Sequence, residues 1–251
     1  VPEGIRAVTR LLIDLDGRPD TRDLGTPAVR TFRAAPPVTA GNAAALAELA
    51  EVVGWILFEE ERQAEAHAHN LAALALARRA GDRGVETLTL LNMAMQRSHV
   101  GRFEEALSLA ARGEAITRSP KVRAMFALRQ ARAHSRMRRA TEAFRALDRA
   151  QAVLEDDDTA PPWAWWIDET ELRGHQGAVL ANLGRLAEAV ETFPADNDLR
   201  FREVVQAMRF RTLKALDEWD GPMPAFASPR AVHAAMGRPG VRYTRSVAST
   251  A

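Results

Sequence analysis

The sequence predicts an all-α protein built as an array of helix hairpins stacked one on the next. Three observations point there. From Gly41 onward the apolar residues recur at helical rather than strand spacing. The helical runs break at Gly81-Asp82-Arg83-Gly84, at Arg118-Ser119-Pro120, between Asp156 and Pro162, and between Phe193 and Asn197, all stretches rich in helix-ending residues. Small residues also recur in pairs twelve positions apart: Gly54/Ala66, Ala94/Ala106, Ala131/Ala143 and Gly177/Ala189. Two antiparallel helices approach closely only where both present a small side chain, so each pair marks the crossing within one hairpin.

The second hairpin turns through His99-Val100-Gly101-Arg102-Phe103 and the fourth through Asn182-Leu183-Gly184-Arg185-Leu186. Gly suits the end of the first helix, and the apolar residue two places on staples the start of the second. The first and third copies have Glu61 and Arg138 in place of that Gly. Successive copies start 37 to 46 residues apart. A small residue in the first helix, a Gly at the turn and an Ala in the second resemble the tetratricopeptide repeat, whose usual period is about 34 residues; the longer spacing here implies extended loops. The resemblance implies a right-handed superhelical array whose first helices line a concave groove.

The repeat domain is expected over residues 41–220. Residues 1–40 form an N-terminal helical extension: Ile5, Val8, Leu11, Leu12 and Leu15 give Val1 to Asp16 one amphipathic helix, Gly17 to Pro27 reads as a loop, and Ala28 to Ala34 adds a shorter helix. Asp14-Leu15-Asp16-Gly17 looks like the opening of a phosphatase motif, but it ends a helical run and lacks the rest of that fold. Leu199 to Trp219 is expected to be the first helix of a fifth, incomplete copy that caps the array. Residues 221–251 form a C-terminal extension, with a short helix at Ser228 to Met236 and a flexible tail.

The net charge is +1, which lacks the electrostatic footprint of a self-sufficient nucleic-acid binder. There is no cysteine, hence no disulfide framework, thiol nucleophile or cysteine-based zinc site. No stretch has eighteen consecutive apolar residues, and Glu3, Arg6, Arg10, Asp14 and Asp16 spoil a signal-peptide core, so a cytoplasmic location and no membrane contact are expected. The six histidines form no His-Glu-x-x-His helix, and there is no Gly-rich phosphate loop. No cofactor, metal or catalytic residue is predicted. Glu171 and His175 stand four apart on a helix, a spacing common on helix surfaces.

Residues on the first helices would meet a ligand: Glu51, Trp55 and Phe58 in the first copy, Asn92, Met95, Gln96 and His99 in the second, Arg129, Arg132 and Arg136 in the third, Glu171 and His175 in the fourth. Arg129, Arg132, Arg136 and Arg139 lie on one helical stripe. Two readings of it stand. The simpler is pairing with the acidic stretch Glu155 to Glu171, within the chain or across a dimer; the other is a site for a carboxylate or phosphate, which a guanidinium fork binds through two hydrogen bonds. In Ala160-Pro161-Pro162-Trp163-Ala164-Trp165-Trp166 the prolines set up a helix starting near Trp163, with Trp163 and Trp166 on one face and Trp165 elsewhere.

A closer resemblance runs through separated segments in order: Gly41-Asn42-Ala43-Ala44-Ala45-Leu46-Ala47-Glu48-Leu49, Gly54-Trp55, Ala80-Gly81-Asp82-Arg83, Asn92-Met93-Ala94-Met95-Gln96, and Pro162-Trp163-Ala164-Trp165-Trp166-Ile167-Asp168-Glu169 followed by Glu171-Leu172. Over roughly Gly41 to Val190 these resemble the helical-repeat sensor region of actinomycete XRE-type transcriptional regulators. The resemblance implies a non-enzymatic regulatory module that binds a peptide, a small acidic or polar molecule, or a protein. Such regulators carry a helix-turn-helix DNA-binding domain ahead of the repeats. Val1 to Ala40 is too short and interrupted for one, so no direct nucleic-acid binding is expected, and the chain reads as a sensor region separated from that domain or as a stand-alone relative. The alternatives are an interaction scaffold or homodimer and, ranked last, an enzyme using Trp166, Asp168, Glu169 and His175. A ligand is expected in the groove between the second and fourth copies, against Asn92, Met95, His99, Arg132, Arg136, Trp166 and His175.

Overall fold

The computed structural model describes residues 1–18, 21, 23–152, 159–194, 203–226 and 229–236. Among them lie twelve α-helices and no strand: α1 (Pro2–Asp16), α2 (Gly25–Arg33), α3 (Ala43–Glu59), α4 (Gln63–Ala80), α5 (Arg83–His99), α6 (Phe103–Ile116), α7 (Pro120–Arg136), α8 (Ala140–Ala152), α9 (Glu169–Asn182), α10 (Leu186–Thr192), α11 (Glu203–Ala215) and α12 (Pro229–Ala235). The protein is all-α. Hairpins α3/α4, α5/α6, α7/α8 and α9/α10 stack in order, and the first helices touch in succession, α3 to α5 to α7 to α9 to α11, to form a continuous inner wall.

The four hairpins share one turn geometry. Each first helix ends beside a residue of positive φ: Glu61 (61°), Gly101 (82°), Arg138 (61°) and Gly184 (87°). The next N–H reaches back five residues, from Arg62 to Leu57, Arg102 to Arg97, Arg139 to His134 and Arg185 to Leu180, which satisfies carbonyls the helix end leaves open. The first and third copies therefore keep the turn without its Gly. All four donors are arginine, each with a Glu three places on. Arg62, Arg102 and Arg185 pair with that Glu, while Arg139 turns to Glu104 of the preceding copy at 2.8 Å. This Arg-x-x-Glu clasp is a repeat signal beyond the small-residue pairs.

The eight small residues are buried at the crossings. A Cβ added at Gly54 would strike the Asn70 side chain, and one at Gly177 would strike the Phe193 ring. Side-chain caps start the later first helices: Asp82 accepts from the Val85 N–H (3.0 Å), Ser119 from Val122 (3.1 Å) and Asp168 from Glu171 (2.8 Å). The largest core cluster runs through α5 to α9, centred on the fully buried Met125, Phe126 and Leu128. A second joins Ile5 and Leu12 of α1 and Ala28 and Val29 of α2 to Leu49, Val53 and Leu57 of α3.

Several local expectations need correction. Of the apolar face expected on α1, Val8 and Leu11 are exposed, so only part of that stripe is used. Helix α2 begins at Gly25, inside the expected loop, because the Glu60 carboxylate accepts the Gly25 N–H at 2.7 Å and caps it from another hairpin. Pro27 falls in that first turn, where a missing N–H costs nothing. No α-helix starts at Trp163: Pro162–Trp166 forms a 3-10 turn, and Asp168 opens α9. Trp163 and Trp166 do pack on the central core while Trp165 is 66% exposed.

Helix α11 repeats the same ending, with Asp217 at φ 56° and the Glu218 N–H on the Leu213 carbonyl. Phe210 stands where the other copies have a small residue, seven places before the turn. A close second helix cannot pack there. Instead Trp219 meets Phe210 edge-on at 5.3 Å, and α12 returns against α11. The tail expected after Met236 lies outside the described residues.

Candidate functional site

The inner wall repeats with the register of the turns. Taking positions two before, one after and five after each small residue gives Val52, Trp55 and Glu59; Asn92, Met95 and His99; Arg129, Arg132 and Arg136; and His175, Ala178 and Asn182. All of these except Ala178 line one cavity of about 1530 Å³. The corresponding residues of α11, Met208 and Arg211, line it too. Asp16 at the end of α1 and Leu24, just before α2, line it at one end. Helix α12 packs on α11 and reaches α3, so it joins the last copy to the first across the groove.

The charge along this cavity is polarised. Its first-copy end is acidic and aromatic. Trp55 Nε1 donates to Asp16 (3.3 Å), and Asn92 Nδ2 donates to Glu51 (2.6 Å). Arg230 of α12 enters this end, 8% exposed, pairing with Glu59 at 2.7 Å and lying over the Phe58 and Trp55 rings at 4.8 and 5.5 Å. Beside it the Glu61 carboxylate stands 3.0 Å from His99 and 3.4 Å from His233.

The third- and fifth-copy end is cationic. Among the described residues Arg132 Nη2 reaches the Met208 sulfur, at 3.6 Å, and its buried Nε meets no hydrogen-bond partner. Burial pushes this guanidinium down to about 9, helped by the charges of Arg136, Arg129, Arg211 and Arg230. Arg129 is pushed down to about 10, again first by burial, with Glu171 opposing. Arg136 lies over the Phe103 ring at 5.5 Å, and Arg211 donates to the Ala234 carbonyl of α12 at 3.2 Å. Among the described residues neither Arg132, Arg136 nor Arg211 has a carboxylate within ion-pair distance. Of the pairing expected with the stretch Glu155 to Glu171, the described residues show the Glu171 charge acting on Arg129; Glu155 to Asp158 lie outside the described residues. Arg139 faces away, to Glu104.

Two buried groups titrate oppositely. Burial raises Glu51 to about 7, with the Asn92 hydrogen bond pulling the other way. Burial lowers His175 to about 4, the Glu171 hydrogen bond opposing and the Arg129 and Arg132 charges adding to the fall. His175 Nε2 lies 3.2 Å from both Arg129 Nη1 and Glu171 Oε1, so in one tautomer it can serve Arg129 as acceptor or Glu171 as donor, not both. Among the described residues its buried Nδ1 meets no hydrogen-bond partner.

All seven residues singled out as the groove face, Asn92, Met95, His99, Arg132, Arg136, Trp166 and His175, line this cavity. Gln96 does not. It turns behind the wall to donate to the Gln63 carbonyl at 2.9 Å. Of the acid-base set Trp166, Asp168, Glu169 and His175, Asp168 is spent on capping α9 and Glu169 is exposed, so only Trp166 and His175 reach the cavity. Arg211 and Arg230 were not among the candidates. Arg211 was legible from the register once Asp217 is aligned with Gly184; Arg230 carries no periodic signal. Among the described residues no three His, Asp or Glu converge to hold a metal ion, and no helix is long and apolar enough to cross a membrane. No protein-family model and no curated protein matches this chain in sequence.

Proposed function

We propose that this chain is a non-catalytic regulatory module that binds a small acidic or polar molecule in the groove of its helical repeats, the part taken by the sensor region of the XRE-type regulators it resembles. One observation carries the reading: the cavity of about 1530 Å³ is lined by the same positions of successive first helices and is crossed by α12. Ligand pockets usually have about 300–1,000 Å³, so a small molecule or a few residues of peptide fit. Helix α12 across the groove favours the small molecule over a long extended peptide. The inward position of Arg132 and Arg136 favours a ligand over self-association, because charges lining a cavity do not meet a second copy.

The test is a thermal-shift screen of small acidic and neutral molecules against the purified chain, with calorimetry on each hit. The expected result is a saturable ligand bound at one site per chain. A chain that responds to no small molecule but holds a protein partner tightly contradicts the reading.

A further inference from the structure

We propose that Arg129, Arg132, Arg136 and Arg211 form a binding site for an oxyanion group, a phosphate or a carboxylate, and that α12 closes over the bound anion. This rests on the cavity being a ligand site and names the chemistry of its ligand.

Arg129, Arg132 and Arg136 are spaced three and four apart on one face of α7, and Arg211 comes from α11 across the cavity. Among the described residues the carboxylate that acts on this cluster is Glu171; of the four arginines it acts on Arg129, and it also faces His175 at 3.2 Å. Burying a cation without a partner is costly, and apolar residues of similar size fill such space at no electrostatic cost. A cluster kept against that cost is the mark of a site that awaits a charge from outside. The acceptor at Arg132 supports this: a thioether sulfur at 3.6 Å is a poor stand-in for oxygen, and among the described residues the buried Nε of both Arg129 and Arg132 meets no hydrogen-bond partner. Guanidinium forks bind phosphate and carboxylate oxygens in pairs, and they do so most strongly where water is excluded.

Helix α12 is coupled to this cluster. Arg211 holds its last turn through the Ala234 carbonyl, while the Arg230 charge presses on Arg129 and Arg132. Docking of α12 therefore brings a fifth cation toward four others. An oxyanion between them removes that repulsion, so anion binding fastens α12.

The test uses the full chain, with inorganic phosphate and citrate as separate calorimetric probes at constant ionic strength. At least one binds saturably, and whether phosphate or citrate does so assigns the source of the oxyanion. Arg132→Gln and Arg136→Gln each weaken it at least tenfold, while Arg79→Gln, on an exposed residue, leaves it unchanged. Bound anion slows amide exchange over residues 229–236. Without anion, Arg132→Gln raises the melting temperature by a few degrees, since it removes a half-buried charge that no carboxylate compensates among the described residues. A fall in melting temperature makes the guanidinium structural and overturns the proposal. Binding that Arg132→Gln and Arg136→Gln do not change, or no saturable binding of either anion, overturns it too. If a molecule from the screen binds with equal affinity to parent and Arg132→Gln, the cavity reading stands and the oxyanion site falls.

Discussion

Arg132 on α7 and Met208 on α11 face each other across the cavity, with the guanidinium Nη2 3.6 Å from the thioether sulfur. In a stabilising ion pair a carboxylate would stand in the sulfur's place. With sulfur in that place the Arg132 charge is left uncompensated at the cationic end of the cavity.

Met208→Glu, a side chain of similar reach, supplies that carboxylate from within the chain. It is expected to raise stability by about 1 kcal/mol, the net of a buried pair gained against its desolvation, and to abolish binding of any anionic ligand. Denaturant unfolding and calorimetry on the one variant check both. Unaltered ligand affinity would show that the ligand does not approach Arg132.

The pH dependence separates Glu51 from His175. Glu51 has a folded pKa raised from 4.5 to about 7, so its stability is present below pH 4.5 and is lost as pH rises through 7. His175 has a folded pKa lowered from 6.5 to about 4, so its stability is present above pH 6.5 and is lost as pH falls toward 4. Each is worth on the order of 3 kcal/mol across its window, and between pH 4.5 and 6.5 the two nearly cancel. Glu51→Gln keeps an acceptor for Asn92 and leaves His175 unopposed, so its stability falls on acidification across that window. His175→Gln leaves Glu51 unopposed and gives the opposite slope. Parallel slopes in the two variants would contradict the assignment.

The turn geometry predicts opposite effects at equivalent positions. Arg138→Gly relieves a left-handed backbone and gives up an exposed donation to the Asn182 carbonyl, and the net is expected to stabilise the protein by about 0.5 kcal/mol. Gly101→Ala, in the same conformation one copy earlier, is expected to destabilise by about 1 kcal/mol. Urea midpoints measured side by side would show it; equal signs would mean that the copies do not share a turn.

These turns show how far the sequence could be read. The paired small residues mark crossings that a larger side chain would block, and the glycines at 101 and 184 favour the left-handed turn, so together they reveal the hairpins and, through the register, the groove face. Glu61 and Arg138 hide the same turn because positive φ costs little enough to be tolerated. The Arg-x-x-Glu spacing stands in all four copies, but such charged pairs are common on helix surfaces and mark a repeat only once the turns are aligned. The fifth copy was expected over Leu199 to Trp219, but Phe210 hides its register, and with it Arg211, because a large side chain replaces the small one that marks a crossing. Arg230 is beyond such reading: its place beside Phe58 and Glu59 depends on α12 folding back across the whole array, a long-range contact that local periodicity does not encode.

Arg230 is expected to be the latch of α12. Arg230→Ala removes the Glu59 pair and the packing on Trp55 and Phe58, and amide exchange over 229–236 should speed at least tenfold, as expected of a seven-residue helix that opens locally. Exchange in α7 should not change. Acceleration spread through α7 would make α12 part of the global fold instead of a closing element.

The most direct test of the groove as the site is hydrogen exchange, with and without the ligand found by the screen. Protection concentrated in α5, α7 and α9, with α12 following, is the predicted result. Protection confined to the second helices α4, α6 and α8, with the first helices unchanged, would place the binding site on the opposite face and contradict it.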